Sequence, residues 1–150
     1  MKYETVPYKG MGQNFLVNKS VLGKIIKLAD LKSEDTILEV GPGVGTLTRE
    51  LAKNVRKVIA VEKDRKMCEI LKETLNHGLS KKLTIVDFLP RPNNVEVING
   101  DILKTNLQLP KQYKLVANIP YYITSPLIRK YLEIECPPEF MVLMVQKEVA

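Results

Sequence analysis

Glu39-Val40-Gly41-Pro42-Gly43-Val44-Gly45 stands between a short apolar run, Asp35 to Val40, and a segment with Leu47, Leu51 and Val55 at helical spacing. A strand that empties into glycines and then into a helix is how a ligand-binding α/β unit begins. The glycines let the backbone turn sharply and let a ligand lie close against it. The spacing is G-x-G-x-G, and Thr46 occupies the place of the third glycine in the pyrophosphate-binding G-x-G-x-x-G pattern. A ligand without phosphates is therefore favoured. S-adenosylmethionine fits, since its amino-acid end and sulfonium can pack over the glycine turn. A glycine-rich turn with no ligand is the plain alternative.

The segments around this turn alternate between helical and strand character, which predicts an α/β fold with a mainly parallel sheet. Residues 1–17 read as an irregular lead-in. Asn18 can cap a helix through Leu31 with Val21, Leu22, Ile25, Ile26 and Ala29 on one face. Thr46 to Val55 reads as a helix and Lys57 to Val61 as a second strand. Asp64 then caps a helix with Met67, Ile70, Leu71 and Leu75 inward. Val95 to Ile98 and Lys114 to Ala117 are the third and fourth strands. Ser125 followed by Pro126 gives a helix start, with Leu127, Ile128, Tyr131 and Leu132 inward. Phe140 to Val145 is a fifth strand. The connection 77–94 is long for such a unit; Leu83 to Phe88 could add a strand, and Pro90 and Pro92 stop any regular element.

Composition narrows the class. The 150 residues suffice for one domain, and 45% apolar with 27% charged residues is a globular balance. No apolar run is long enough to span a bilayer, and Met1 to Gly10 lacks a secretory core, so a cytoplasmic protein is expected. Cys68 and Cys136 lack metal-ligand spacing and read as reduced, buried or half-buried thiols; His77 reads as a surface residue. No metal site is expected. The net charge of +6 suits a polyanion such as RNA, although the lysines are spread along the chain. A Ser-His-Asp set, H-E-x-x-H and G-x-x-x-x-G-K are all missing, which argues against a hydrolase, a zinc enzyme and a nucleoside triphosphatase.

Three further motifs carry chemistry. Glu62 ends the second strand 21 positions after Gly41, where a carboxylate can accept from both hydroxyls of a ribose. Gly100-Asp101-Ile102 follows the third strand: Asp101 can accept from an adenine amine and Ile102 can offer an apolar edge, or Asp101 can simply cap a turn. Asn118-Ile119-Pro120-Tyr121 ends the fourth strand. An adenine exocyclic nitrogen is a poor nucleophile because its lone pair is delocalised into the ring. The Asn118 side-chain oxygen and a carbonyl at Ile119 or Pro120 can grip its two hydrogens and localise that pair. Pro120 fixes the turn, and Tyr121 can stack on the base. A tight turn with a buried tyrosine is the bland reading of the same four residues.

Together these residues resemble the ribosomal RNA adenine dimethyltransferase (KsgA) family. The resemblance runs through Gly12-Gln13-Asn14-Phe15-Leu16, the glycine turn into Thr46-Leu47-Thr48, Val61-Glu62-Lys63-Asp64 and Gly100-Asp101. It continues at Asn118 to Pro126 and closes at Leu143 to Ala150. It implies a Rossmann-like class I S-adenosylmethionine-dependent methyltransferase fold and two successive methyl transfers to N6 of adenines in small-subunit ribosomal RNA. By position, Asn14 and Leu16 close over the cofactor, Gly41 lies under its amino-acid part and Glu62 holds its ribose. Asp101 reads its adenine, Asn118 serves both cofactor and target amine, and Tyr121 faces the target base. Gln13, Glu39, Gly43, Gly45, Lys63 and Ile102 complete the implied cofactor set, and Pro120 the catalytic one. A monomer is expected, with no membrane or metal.

Two departures accompany the resemblance. The 77–94 connection is longer than the family's. The chain also stops at Ala150, where the family continues with more strands and a small helical C-terminal domain. A truncated product that still binds cofactor through a single catalytic domain, 1–150, is expected, with an open last strand and weakened ribosome specificity. The erythromycin-resistance methyltransferases of large-subunit RNA share the Gly12 to Leu16 and N-x-P-Y type motifs, but Tyr121 to Pro126 looks more like the small-subunit group. A non-catalytic RNA-binding or assembly module and a DNA adenine methyltransferase are the other readings.

Overall fold

The structure, a computed structural model, describes residues 19–77, 92–119 and 121–145. The elements run α1 (Lys19–Leu28), β1 (Thr36–Val40), α2 (Thr46–Ala52), β2 (Lys57–Glu62), α3 (Arg65–His77), β3 (Val95–Asn99), β4 (Lys114–Asn118), a 3-10 turn (Tyr121–Ile123), α4 (Thr124–Glu133) and β5 (Met141–Met144). The strands form one sheet in the order β3-β2-β1-β4-β5, and every neighbouring pair is parallel. The expected α/β fold is thus present. The Asn18 cap, the lead-in 1–17, the strand suggested at Leu83 to Phe88 and Gln146 to Ala150 lie outside the described residues.

Side chains alternate along each strand, so two layers of core form on the two faces. One face joins Ile37, Val58, Ala60 and Val116 to Ile25 and Ala29, to Leu47 and Leu51 of α2 and to Leu71 and Leu75 of α3. The other joins Leu38, Val40, Ile59, Val61, Leu115 and Ala117 to Leu127 and Tyr131 of α4. Each fully buried leucine-sized side chain contributes about 2 kcal/mol. With helices on both faces and β1 between β2 and β4, the strand order reverses beside β1. In sheets of this kind ligands bind at such a point, outside the carboxyl ends of the strands.

Several helix details depart from the pattern reading. Asn54 Nδ2 takes the Glu50 carbonyl at 2.8 Å and ends α2 at Ala52, so Val55 is buried as part of the following turn. Ile70 is 39% exposed because the inward stripe of α3 is Met67, Cys68, Leu71, Thr74 and Leu75. Leu132 is 63% exposed: Thr124, Leu127 and Tyr131 form the buried stripe of α4, and Leu132 lies about 100° further round. Ser125 is not a cap. The 3-10 turn delivers the chain into α4 at Thr124, so Ser125 and Pro126 fall inside the first turn, where a missing N–H costs nothing. Cys68 is buried and Cys136 is exposed, both as free thiols. Asp64 does cap α3, its Oδ1 accepting from the N–H groups of Lys66 and Met67 at 2.7 and 3.2 Å.

Candidate functional site

The parallel register brings the carboxyl ends of the strands to one rim. Val40 is level with Val61 and with Ala117, Glu62 with Asn99, and Asn118 with Met144. The chain leaves β1 through three glycines with positive φ: 66° at Gly41, 57° at Gly43 and 87° at Gly45. Side chains disfavour this left-handed region, which explains the glycines at once. A side chain at Gly45 would also crowd the core, since a Cβ there would lie 2.5 Å from Leu71 Cδ1 of α3 and force that buried leucine to shift. The N–H of Gly41 donates to the Val61 carbonyl at 3.0 Å and that of Gly45 to the Pro42 carbonyl at 3.0 Å, so the turn is tied both to β2 and to itself.

Glu62 is 2% exposed. Its Oε2 accepts from the Gly43 N–H at 3.3 Å and its Oε1 from the Asp64 N–H at 3.0 Å. The carboxylate at the end of β2 is therefore fixed against the glycine turn. Each oxygen keeps a further lone pair for a second donor.

Glu39 is 1% exposed on the α2 face of β1. Burial pushes its carboxyl up to about 8; the nearby Thr48 hydroxyl tempers this without reaching hydrogen-bond geometry, and the negative Glu62 adds to it. Glu39 Oε2 has no hydrogen-bond partner among the described residues.

Asn118 closes β4 beside the turn: a Cβ on Gly41 would stand 3.9 Å from its carbonyl oxygen. Ile119 behind it is 5% exposed.

Across β2, Asp101 caps its own turn, its Oδ1 accepting from the Leu103 N–H at 3.0 Å, while its Oδ2 lies 3.0 Å from Lys63 Nζ. That lysine, and then the Leu103 N–H, hold its carboxyl below the usual range. Ile102 is 5% exposed and packs into the α4-side core.

Gly41, Gly43, Gly45, Glu39, Glu62, Lys63, Asp101, Ile102 and Asn118 are thus carried by the ends of β1, β2 and β4 and by the turn after β3. Gln13, Asn14, Leu16, Pro120 and the Tyr121 side chain lie outside the described residues. Asn99 and Lys130 were missed by sequence reasoning. Asn99 Nδ2 donates to the carbonyls of Glu62 and Lys63 at 2.9 and 3.2 Å, locking β3 to the end of β2. Lys130 Nζ of α4 donates to the carbonyls of Ile102 and Thr105 at 2.7 and 3.1 Å. The only signal for Asn99 is its place before Gly100-Asp101; Lys130 reads in sequence as an ordinary solvated lysine.

Among the described residues no group of three His, Cys, Asp or Glu side chains could hold a metal ion, and no helix is long and apolar enough to cross a membrane. A cradle of positive-φ glycines, a buried carboxylate beside it and an aspartate one strand further suit a nucleoside with an amino-acid tail better than a phosphate.

The chain is similar to known proteins. A family model described as "Ribosomal RNA adenine dimethylase" matches residues 8–150. A ribosomal RNA small subunit methyltransferase A of Dehalococcoides mccartyi is 50% identical over 146 residues, covering 95% of this chain and 45% of its own. Among solved structures, a dimethyladenosine transferase from Plasmodium falciparum has a TM-score of 0.70 and 38% identity over 87% of this chain and 42% of its own. The 23S rRNA methyltransferase ErmE has a TM-score of 0.70 and 33% identity over 88% of this chain and 48% of its own. The chain spans about half the length of the curated relatives it matches.

Proposed function

The chain belongs to the ribosomal RNA adenine dimethylase family, and we propose that it forms the cofactor-binding and catalytic part of an enzyme that transfers methyl groups to N6 of adenines in small-subunit ribosomal RNA. The observation that carries this reading is that the end of β4 lies beside the glycine turn, the Asn118 carbonyl oxygen standing 3.9 Å from where a Cβ on Gly41 would lie. That proximity supports a cofactor over the glycines within reach of a target amine held at Asn118.

S-adenosylmethionine, when bound, supplies an electrophilic methyl group. Gly41, Gly43 and Gly45 would underlie its amino-acid part, Glu62 would accept from the ribose hydroxyls and Asp101 from the adenine amine, with Ile102 against the ring. Gln13, Asn14 and Leu16 would close over it. Asn118 would accept one hydrogen of the target amine and a carbonyl at Ile119 or Pro120 the other, localising the lone pair for attack. The proton becomes acidic only after transfer, so no general base has to act first. Tyr121 would hold the target base flat after it leaves its stack. The basic charge of +6 favours the RNA phosphates. The proposed setting is the cytoplasm, with the chain acting as a monomer.

The relative at 50% identity is named for the small subunit, which favours that substrate. The likeness to ErmE favours a second reading, a large-subunit adenine methyltransferase. Incubation with labelled S-adenosylmethionine and each ribosomal subunit, both lacking adenine methylation, separates them. Label recovered as N6-methylated adenosine from small-subunit RNA is expected. Label confined to large-subunit RNA would select the second reading, and label in neither would overturn both.

A further inference from the structure

The turn that carries Asp101 is held by lysines from two sides. The Gly100 N–H donates to the Glu62 carbonyl at 2.9 Å, and the N–H groups of Lys104 and Thr105 return to the Asp101 carbonyl at 2.9 and 2.7 Å. The turn packs tightly at Gly100, where a Cβ would lie 2.5 Å from Thr105 Oγ1 and would force that side chain to shift. From α4, Lys130 clamps the carbonyls of Ile102 and Thr105. From the end of β2, Lys63 reaches Asp101 Oδ2 at 3.0 Å with its side chain 75% exposed and that of Asp101 21% exposed.

A solvated lysine by itself selects nothing. Lys63 differs because of what its partner already does. Asp101 Oδ1 is taken by the Leu103 N–H, so the ammonium on Oδ2 fixes the remaining rotation of the carboxylate. The group cannot turn without losing a charge-assisted contact. Oδ2 keeps another lone pair. A carboxylate held in one orientation accepts from an amine placed before it and opposes a carbonyl oxygen in the same place. Lys63 also follows Glu62 directly, so one short stretch carries both the proposed ribose acceptor and the group that orients the adenine acceptor.

We propose that Lys63 is a positioning residue that sets Asp101 to accept from the exocyclic amine of the cofactor's adenine, and thereby determines specificity for adenine over a deaminated base. This rests on the reading of Asp101 as the adenine acceptor given above. The ion pair bridges the end of β2 and the turn after β3, so it acts on the cofactor only when both are in place.

The test is equilibrium titration of the full chain with S-adenosylhomocysteine and with its deaminated counterpart, S-inosylhomocysteine. Wild type, Lys63→Met and Lys63→Arg are compared at two salt concentrations. Wild type is expected to prefer the amine on the order of tenfold. Lys63→Met keeps the aliphatic stem and should narrow that preference about threefold, entirely by weaker binding of the adenine form. Lys63→Arg should restore it. High salt should narrow the preference of wild type and leave that of Lys63→Met unchanged. An unchanged preference in Lys63→Met, or equal loss of both ligands, overturns the proposal. Equal wild-type affinity for the two ligands removes the adenine role of Asp101, and the proposal with it, while the cofactor reading stands. Failure of wild type to bind S-adenosylhomocysteine overturns the cofactor reading as well.

Discussion

Glu39 is a carboxyl group closed inside the sheet, and burial drives its pKa from the usual 4.5 to about 8. The folded state therefore binds a proton that the unfolded chain has already released over that interval. Its contribution to stability is complete below 4.5 and is lost as pH rises through about 8. Glu39→Gln keeps the shape and removes the titration. Wild type should lose thermal stability relative to Glu39→Gln as pH rises from about 5 to about 9, read as the difference in Tm; parallel pH profiles would show that the carboxyl is not buried as described. Gly45→Ala tests the turn itself. A left-handed φ of 87° and the 2.5 Å approach to Leu71 should cost about 2 kcal/mol in denaturant unfolding. The three glycines and Glu62 were legible in sequence because their spacing is local. The raised pKa of Glu39 was not, since it depends first on burial inside the fold and only then on Thr48 and Glu62, all of which other segments deliver. Asp101 turned out to cap its turn, one of the two readings its sequence allowed, and that cap leaves it an oxygen for Lys63.

At the scale of elements, one buried ion pair ties α1 to the sheet. Lys114 of β4 lies 2.7 Å from Asp35 Oδ2, and its Nζ also donates to the carbonyls of Asp30 and Ala29 at 2.6 and 3.4 Å. The two side chains are only 6% and 12% exposed. Burial works against the Asp35 charge, yet the Lys114 hydrogen bond outweighs it together with the Lys32 N–H, and the pKa falls below 3.8. This contribution is present above 3.8 and is lost as pH falls through the depressed value, opposite in sign to that of Glu39. Lys114→Met leaves Asp35 without its cation and should destabilise the fold by about 3 kcal/mol, seen as a lower midpoint in urea; an unchanged midpoint would mean that the pair contributes nothing. The sequence placed the five strands and four α-helices seen among the described residues, because hydrophobic period marks an element's existence well. It misplaced the start of α4 and the ends of α1 and α2, because those are set by the 3-10 turn at Tyr121–Ile123, the left-handed Asp30 and the Asn54 side chain. In the sequence Lys114 only begins the fourth strand; its burial comes from the segment after α1, whose Ala29 and Asp30 carbonyls and Asp35 carboxylate surround its ammonium.

At the scale of the whole molecule, the parallel sheet gathers motifs spread from Glu39 to Asn118 onto one rim beside the strand-order reversal. That gathering was legible, since motif order and an alternating pattern imply strand ends on one edge. The clamps of Lys130 and Asn99 were not, because they join carbonyls, and carbonyls carry no residue identity for a sequence to display. Asn118, which ends β4 beside Gly41, is the residue proposed to grip the target amine. Single-turnover methyl transfer to small-subunit ribosomal RNA by Asn118→Ala, with S-adenosylmethionine affinity measured on the same sample, tests it most directly. Transfer should fall at least on the order of a hundredfold, while cofactor affinity, to which Asn118 would contribute only one of several contacts, should fall far less. Transfer at the wild-type rate by a variant that binds the cofactor normally would contradict the claim.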